Sequence, residues 1–262
     1  MEEINLTEQN PVIEQKPAAE RKPRRHSRKK EPVCEHLSFA AKEAFTRLRT
    51  NLAMSFPEED TECKIVGVTS AQPSDGKSTI ALNLAYSLAE LGKRVLLIDA
   101  DMRRASIHEK IDIEKTPGLS NLLDDLNSIQ TTLQKYTSSK SATEFFVIPS
   151  GDMPDNPSEL LSSRRMAALL NRLSKSFDYV VVDLPPVGAV IDAVSVAKLV
   201  DGMIVVIREN TCPRNLLSEC VGQLNYAGIK ILGFVVNGAL EGSSKKYQYK
   251  NGYGYGGYYY GK

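Results

Sequence analysis

Short apolar runs alternate with longer amphipathic stretches through the middle of the chain. The runs Lys64 to Ala71, Arg94 to Asp101, Glu144 to Pro149, Tyr179 to Leu184, Met203 to Arg208 and Ile231 to Asn237 are rich in valine, isoleucine or phenylalanine. Such residues fit pleated, buried strands. Near-continuous hydrophobicity, as in the stretch from Val95 to Ile98 and in the three valines 180 to 182, marks strands covered on both faces. Between the runs, Ser78 to Leu91, Ser158 to Ser176 and Pro213 to Tyr226 repeat apolar residues at helical spacing, and a further helix is predicted from Ser38 to Met54. The alternation predicts an α/β domain, a mostly parallel central sheet with helices on both faces. Gly118 to Ser141 is expected to form a peripheral helical insertion.

The two ends of the chain break this pattern in different ways. Residues 1–36 read as a disordered arm: an acidic, proline-containing stretch is followed, between Arg21 and Lys30, by seven basic residues and no acid. Beside a cytoplasmic membrane such a run is attracted to anionic lipid by about 1 kcal/mol per residue; the alternative is a solvated spacer. At the other end, seven of the eleven tyrosines lie in the last sixteen residues, Tyr247, Tyr249, Tyr253, Tyr255, Tyr258, Tyr259 and Tyr260, separated by glycine and polar residues. Residues 241–262 cannot bury a core and are expected to present their phenols to other proteins. Composition leaves a second reading open, a sticky or RNA-binding tail. Residues 37–240 remain as one globular domain.

Cysteines 34, 63, 212 and 220 show no metal-ligand spacing, so reduced structural thiols are expected. No signal peptide and no apolar run near the length of a bilayer span is visible. A cytoplasmic chain is expected, with membrane attachment through a partner or the basic arm.

Chemistry enters where the first predicted strand runs into Ala71-Gln-Pro-Ser74-Asp75-Gly76-Lys77-Ser78-Thr79 and then a helix. This is the order of a phosphate-binding loop. Glycine lets the backbone approach an anion, and the amides and dipole of the helix start favour negative charge. Lys77 is expected to reach the outer phosphates of ATP and the Ser78 hydroxyl to ligate Mg2+. Ala71 stands where the common pattern has its first glycine. The second strand ends at Asp99-Ala-Asp101-Met-Arg103 and the fourth at Asp183-Leu-Pro185. Ligands of open parallel sheets lie beyond the strands' carboxyl ends, so Asp99, Asp101 and Asp183 are expected to converge there. In phosphoryl transfer one acid helps to hold the metal and another accepts the nucleophile's proton. Asp99 is the first candidate for that acceptor and Asp101 the second, with Asp101, Asp183 and Ser78 as metal ligands. Asn237 and the stretch from Arg208 to Arg214 are candidate base-side positions.

On these motifs, Gly76-Lys77-Ser78, Asp99-x-Asp101-x-Arg103, Asp183-x-Pro185 and the tyrosine cluster, the chain resembles the bacterial tyrosine kinases of capsule and exopolysaccharide operons. The resemblance implies a P-loop fold, ATP-dependent autophosphorylation of the tail between subunits, and Arg103 among the groups that offset phosphate charge. It also implies a transmembrane adaptor that activates the kinase, a cognate phosphotyrosine phosphatase as a further partner, a homo-oligomer and no nucleic-acid partner. The family closes its ring of subunits with a glutamate and two arginines at three-residue intervals. Here Glu43 and Arg49 match, while Thr46 takes the middle place and the arginine moves to Arg47. One helical step is about 100°, so Arg47 faces elsewhere; it has Glu43 within reach four residues away. The rival reading is a partitioning or cell-division ATPase acting as a nucleotide-dependent dimeric switch. Those proteins carry a second lysine early in the loop, where this chain has Gln72. An ATP-switched scaffold for glycan-assembly enzymes is a third reading.

Overall fold

Alternate side chains of the apolar runs divide between two cores, one on each face of a single sheet. A computed structural model describes residues 33–57, 62–188 and 196–239. The strands are β1 (Lys64–Ser70), β2 (Val95–Asp99), β3 (Gln134–Thr137), β4 (Glu144–Ile148), β5 (Tyr179–Asp183), β6 (Gly202–Arg208) and β7 (Ile231–Asn237). They lie in the order β3-β4-β2-β5-β1-β6-β7. Only β3 runs antiparallel to its neighbour; the other pairs are parallel. Leu96, Ile98, Val180, Val182, Met203 and Val205 belong to one core. Val95, Leu97, Val181, Ile204 and Val206 belong to the other, as a two-residue period requires.

Helices α1 (Phe39–Met54), α2 (Lys77–Ala89) and α3 (Ile107–Ile111) contribute to the second core. On the opposite face lie α4 (Leu119–Asp124), α5 (Ile129–Thr132), α6 (Pro157–Leu161), α7 (Arg164–Leu173) and α8 (Arg214–Tyr226). Twelve of the thirteen residues of α2 are buried, so the helix that starts at the loop lysine is also the most enclosed element of its face. The loop is thereby attached to a rigid support at both ends.

Four features differ from the sequence expectation. The helix predicted over Ser158 to Ser176 is two helices, because Ser163 is extended (ψ 156°) and its side chain accepts from the amide of Met166. A serine that caps a new helix start interrupts the old one. The insertion after Gly118 is not wholly helical: Gln134–Thr137 pairs with β4 as an edge strand. The second strand ends at Asp99, so Asp101 sits in the turn beyond it. Val33–Glu35, assigned by charge to the arm, are buried. The Cys34 amide donates to Asn83 Oδ1 at 2.7 Å, and Glu35 accepts from Tyr136 at 2.6 Å and from the Ser139 amide and hydroxyl at 3.1 and 3.0 Å.

The four cysteines are free thiols. Among the described residues no helix is long and apolar enough to cross a membrane. Residues 1–32 and the seven tail tyrosines lie outside the described residues.

Candidate active site

Parallel register brings the chemistry to one edge. Asp99 and Asp183 are direct partners across β2 and β5, and Val68 near the end of β1 is the partner of Asp183 on the other side. The loop from Ala71 to Gly76 leaves β1 at this edge, and α2 begins behind it with Gly76 as N-cap at φ 93°. A Cβ at Gly76 would come within 2.1 Å of Asn237 Nδ2, so both the dihedral and the close approach demand glycine. The turn after Asp183 is tied to β1: Thr69 Oγ1 donates to the Pro185 carbonyl at 2.7 Å, and the Val187 amide donates to the Ser70 carbonyl at 2.9 Å.

Lys77 is the centre of the site. Its Nζ lies 2.6 Å from Asp101 Oδ2, 3.5 Å from Asp183 Oδ1 and 3.2 Å from Ser78 Oγ. Burial works against its charge, but Asp183 and Asp101 outweigh burial and hold its pKa above the usual value. Asp101 Oδ1 accepts from the Arg104 amide at 3.1 Å. Asp99 Oδ2 accepts from the amides of Ser106 and Ile107, both at 3.3 Å, and so anchors the start of α3.

Two of the three carboxylates are poorly satisfied. Asp99 and Asp183 are fully buried, yet Asp99 Oδ1 and both oxygens of Asp183 have no hydrogen-bond partner. Burial first, then the nearby charge of Asp183, pushes the Asp99 pKa up to about 7, against the pull of Lys77. Asp183 is raised too, by burial above all. Buried carboxylate oxygens that make no hydrogen bond, beside a single ammonium, are the kind of donor set that suits a hard cation. Among the described residues no group of three or more His, Cys, Asp and Glu forms a ready metal site. The two carboxylates and hydroxyl of Asp101, Asp183 and Ser78 still fit Mg2+, which uses few protein ligands and keeps several waters.

The groove over the loop is lined by residues including Ser74, Gly76, Lys77, Ser78, Thr79 and Asp101, and not by Asp75 or Asn237. Arg104, Ser106, Lys110 and Arg208 line it as well. Arg103 does not; its Nη2 donates to Ser158 Oγ at 3.3 Å. The basic pair Arg103-Arg104 is the sequence signal for a cation here, and the turn held by Asp101 selects the second member. Asp75 is buried with Oδ1 accepting from Gln72 Nε2 at 3.0 Å, so Gln72 is bonded within its own loop. Asn237 Nδ2 donates to the Asp75 carbonyl at 2.9 Å.

The interface candidates on α1 separate. Glu43 and Arg47 are exposed, and no ion pair joins them. Arg49 Nη1 donates to the Ser87 carbonyl at 2.6 Å and lies 3.5 Å from Glu90, so it braces α1 on α2 within its own chain.

Such a loop, helix and carboxylate edge define a P-loop ATPase domain, and a family model described as an AAA domain matches residues 63–219. Tyrosine-protein kinase YwqD of Bacillus subtilis (strain 168) is 36% identical over 207 residues, spanning 79% of this chain and 85% of the relative. The kinase domain of Escherichia coli tyrosine kinase ETK superposes with a TM-score of 0.74 at 32% identity, over 88% of this chain and 87% of that one. The chain belongs to the bacterial tyrosine-protein kinase family. It spans only 31% of the full-length etk kinase of Escherichia coli (strain K12). The septum site-determining protein MinD of Pyrococcus horikoshii OT3 shares the fold alone, with a TM-score of 0.54 at 21% identity.

Proposed function

We propose that the chain transfers the terminal phosphoryl group of ATP to tyrosine hydroxyls of its own tail, Tyr247 to Tyr260, presented by a neighbouring subunit. The observation that carries this is Lys77 drawn among Asp99, Asp101 and Asp183 at the end of the loop strand. The loop amides and the start of α2 bind the phosphates. Lys77 leaves its carboxylate partners for the outer phosphates, and Arg104 and Lys110 add positive charge at the mouth. Ser78, Asp101 and Asp183 would hold Mg2+, which offsets phosphate charge as a Lewis acid when bound.

The tail phenol oxygen attacks the terminal phosphorus, the bond to the ADP oxygen breaks, and the phenol proton passes to a carboxylate. Free tyrosine has a pKa near 10, so a nearby acceptor helps at neutral pH. Asp99 fills that role: its raised pKa leaves it able both to take and to release a proton near pH 7. Each phosphate adds about 1.5 to 2 negative charges, so a modified tail is repelled from this acidic edge and the subunits loosen.

The same reading makes the chain a cytoplasmic kinase brought to the membrane by a separate transmembrane adaptor, reset by a phosphotyrosine phosphatase, and acting on capsule or exopolysaccharide synthesis. Incubation with MgATP, followed by mass-spectrometric mapping of modified residues, tests the reading, with the adaptor's cytoplasmic fragment added if the chain alone is silent. Phosphate on tail tyrosines of the wild type, and none on Lys77→Ala, is expected. ATP hydrolysis with bare tyrosines in both conditions would favour a nucleotide switch and overturn it.

A further inference from the structure

The geometry points to Asn237, assisted by Arg208, as a positioning residue that holds the phosphate loop in its binding shape, rather than as a reader of the purine. This rests on the nucleotide reading of the loop and deepens it. Both residues end strands on the outer side of β1: Arg208 closes β6 and Asn237 closes β7, and the two are register partners. From there they reach back to consecutive loop carbonyls. Arg208 Nη1 donates to Ser74 O at 3.2 Å and Asn237 Nδ2 to Asp75 O at 2.9 Å.

Those carbonyls belong to the part of the loop that needs holding. Ser74 stands at φ 69° and Gly76 at φ 93°, and a serine in the left-handed region persists only where its surroundings impose it. Gln72 ties the loop from inside through Asp75 Oδ1 at 3.0 Å, while the two strand ends tie it from outside. The Asn237 amide also lies so close under Gly76 that a Cβ there would meet Nδ2 at 2.1 Å. A donor spent on the loop and packed under its glycine turns the loop amides toward the anion. Asn237 is half-buried and Arg208 exposed, so the asparagine carries more of the effect.

Paired titration calorimetry in Mg2+ with ATP and with inorganic tripolyphosphate, which has no base, tests this on the full chain. Asn237→Ala is expected to weaken both ligands by a similar factor, about tenfold, and Arg208→Ala to weaken both by less. Asn237→Asp, which keeps the size but loses the donor, is expected to lose at least as much as Asn237→Ala. Stoichiometry distinguishes a folding defect, because misfolded chains lower the number of sites without changing the affinity of the rest. Variants that lose ATP binding while keeping tripolyphosphate would overturn the clamp and leave the kinase reading standing. A wild-type chain that binds neither ligand would overturn both.

Discussion

Among the described residues, a buried polar cluster beside the edge strand β3 and another at the carboxyl ends of the central strands β2 and β5 are finished differently. At the β3 side, Glu35 is surrounded by the Tyr136 hydroxyl and the Ser139 amide and hydroxyl. Burial would raise its pKa, but these bonds and one from its own backbone hold it down to about 2. At the loop edge, Asp99 and Asp183 are buried with three oxygens that make no hydrogen bond, one of them only ion-paired to Lys77 at 3.5 Å, and the Asp99 pKa rises to about 7. The same chemical group shifts in opposite directions: hydrogen bonds within the fold complete the first carboxylate and leave the second incomplete. A buried polar network that the chain satisfies itself gives stability, whereas one left short of partners marks where stability is given up for chemistry.

Loss of the central ammonium should show the largest effect. Lys77→Ala is expected to lower the initial rate of tail phosphorylation by at least about 10²- to 10³-fold, as for removal of one charge-stabilising donor from a transition state; residual activity within tenfold of wild type would break the contrast. Asp99→Asn is expected to reduce the rate by about 10²-fold and yet to raise the melting temperature of the ligand-free protein. A carboxylate with a raised folded pKa stabilises most below its unfolded value of 3.8 and loses that contribution as pH climbs through about 7. The gain in melting temperature should therefore be larger at pH 8 than at pH 4.

Glu35→Ala should do the reverse, costing about 1–3 kcal/mol of stability through the stranded Tyr136 and Ser139 groups while leaving kcat unchanged. Its pKa is depressed, so the contribution is complete above its usual 4.5 and vanishes as pH falls through about 2. Denaturant melts of wild type and variant should converge in acid. Smallest is the pair on α1: Arg49→Ala is expected to cost about 1 kcal/mol, because its bonds to Ser87 are partly buried. Arg47→Ala, at an exposed position, should stay within about 0.5 kcal/mol.

The strands of this fold are legible because the sheet is covered twice: Val95 to Ile98 and the valines of β5 have no polar face to confuse the pattern. Gln134–Thr137 is not legible for the converse reason; an edge strand of mixed polarity alternates over too few residues to stand out. The break at Ser163 needs cap geometry that apolar spacing ignores. In the site, Asp99 and Asp183 follow from their places at strand ends, which register converts into proximity, while Lys77 and Ser78 follow from the loop-to-helix order and Asp101 from the turn that continues β2. Arg104 and Lys110 do not, since a turn and the five-residue helix α3 decide which cations face the groove. Nor does the inward packing of Cys34 and Glu35, whose partners lie about fifty residues away on α2 and about a hundred residues away on β3 and in the turn after it.

Transfer between subunits is the claim on which the account turns, and mixing two crippled chains tests it most directly. One is full-length Lys77→Ala, with a tail and no working site; the other ends at residue 240, with a site and no tail. With MgATP and any activating fragment the wild type requires, the account predicts phosphotyrosine on the Lys77→Ala tail in the mixture and in neither chain alone. A mixture that stays unmodified while the wild type labels its own tail would contradict it.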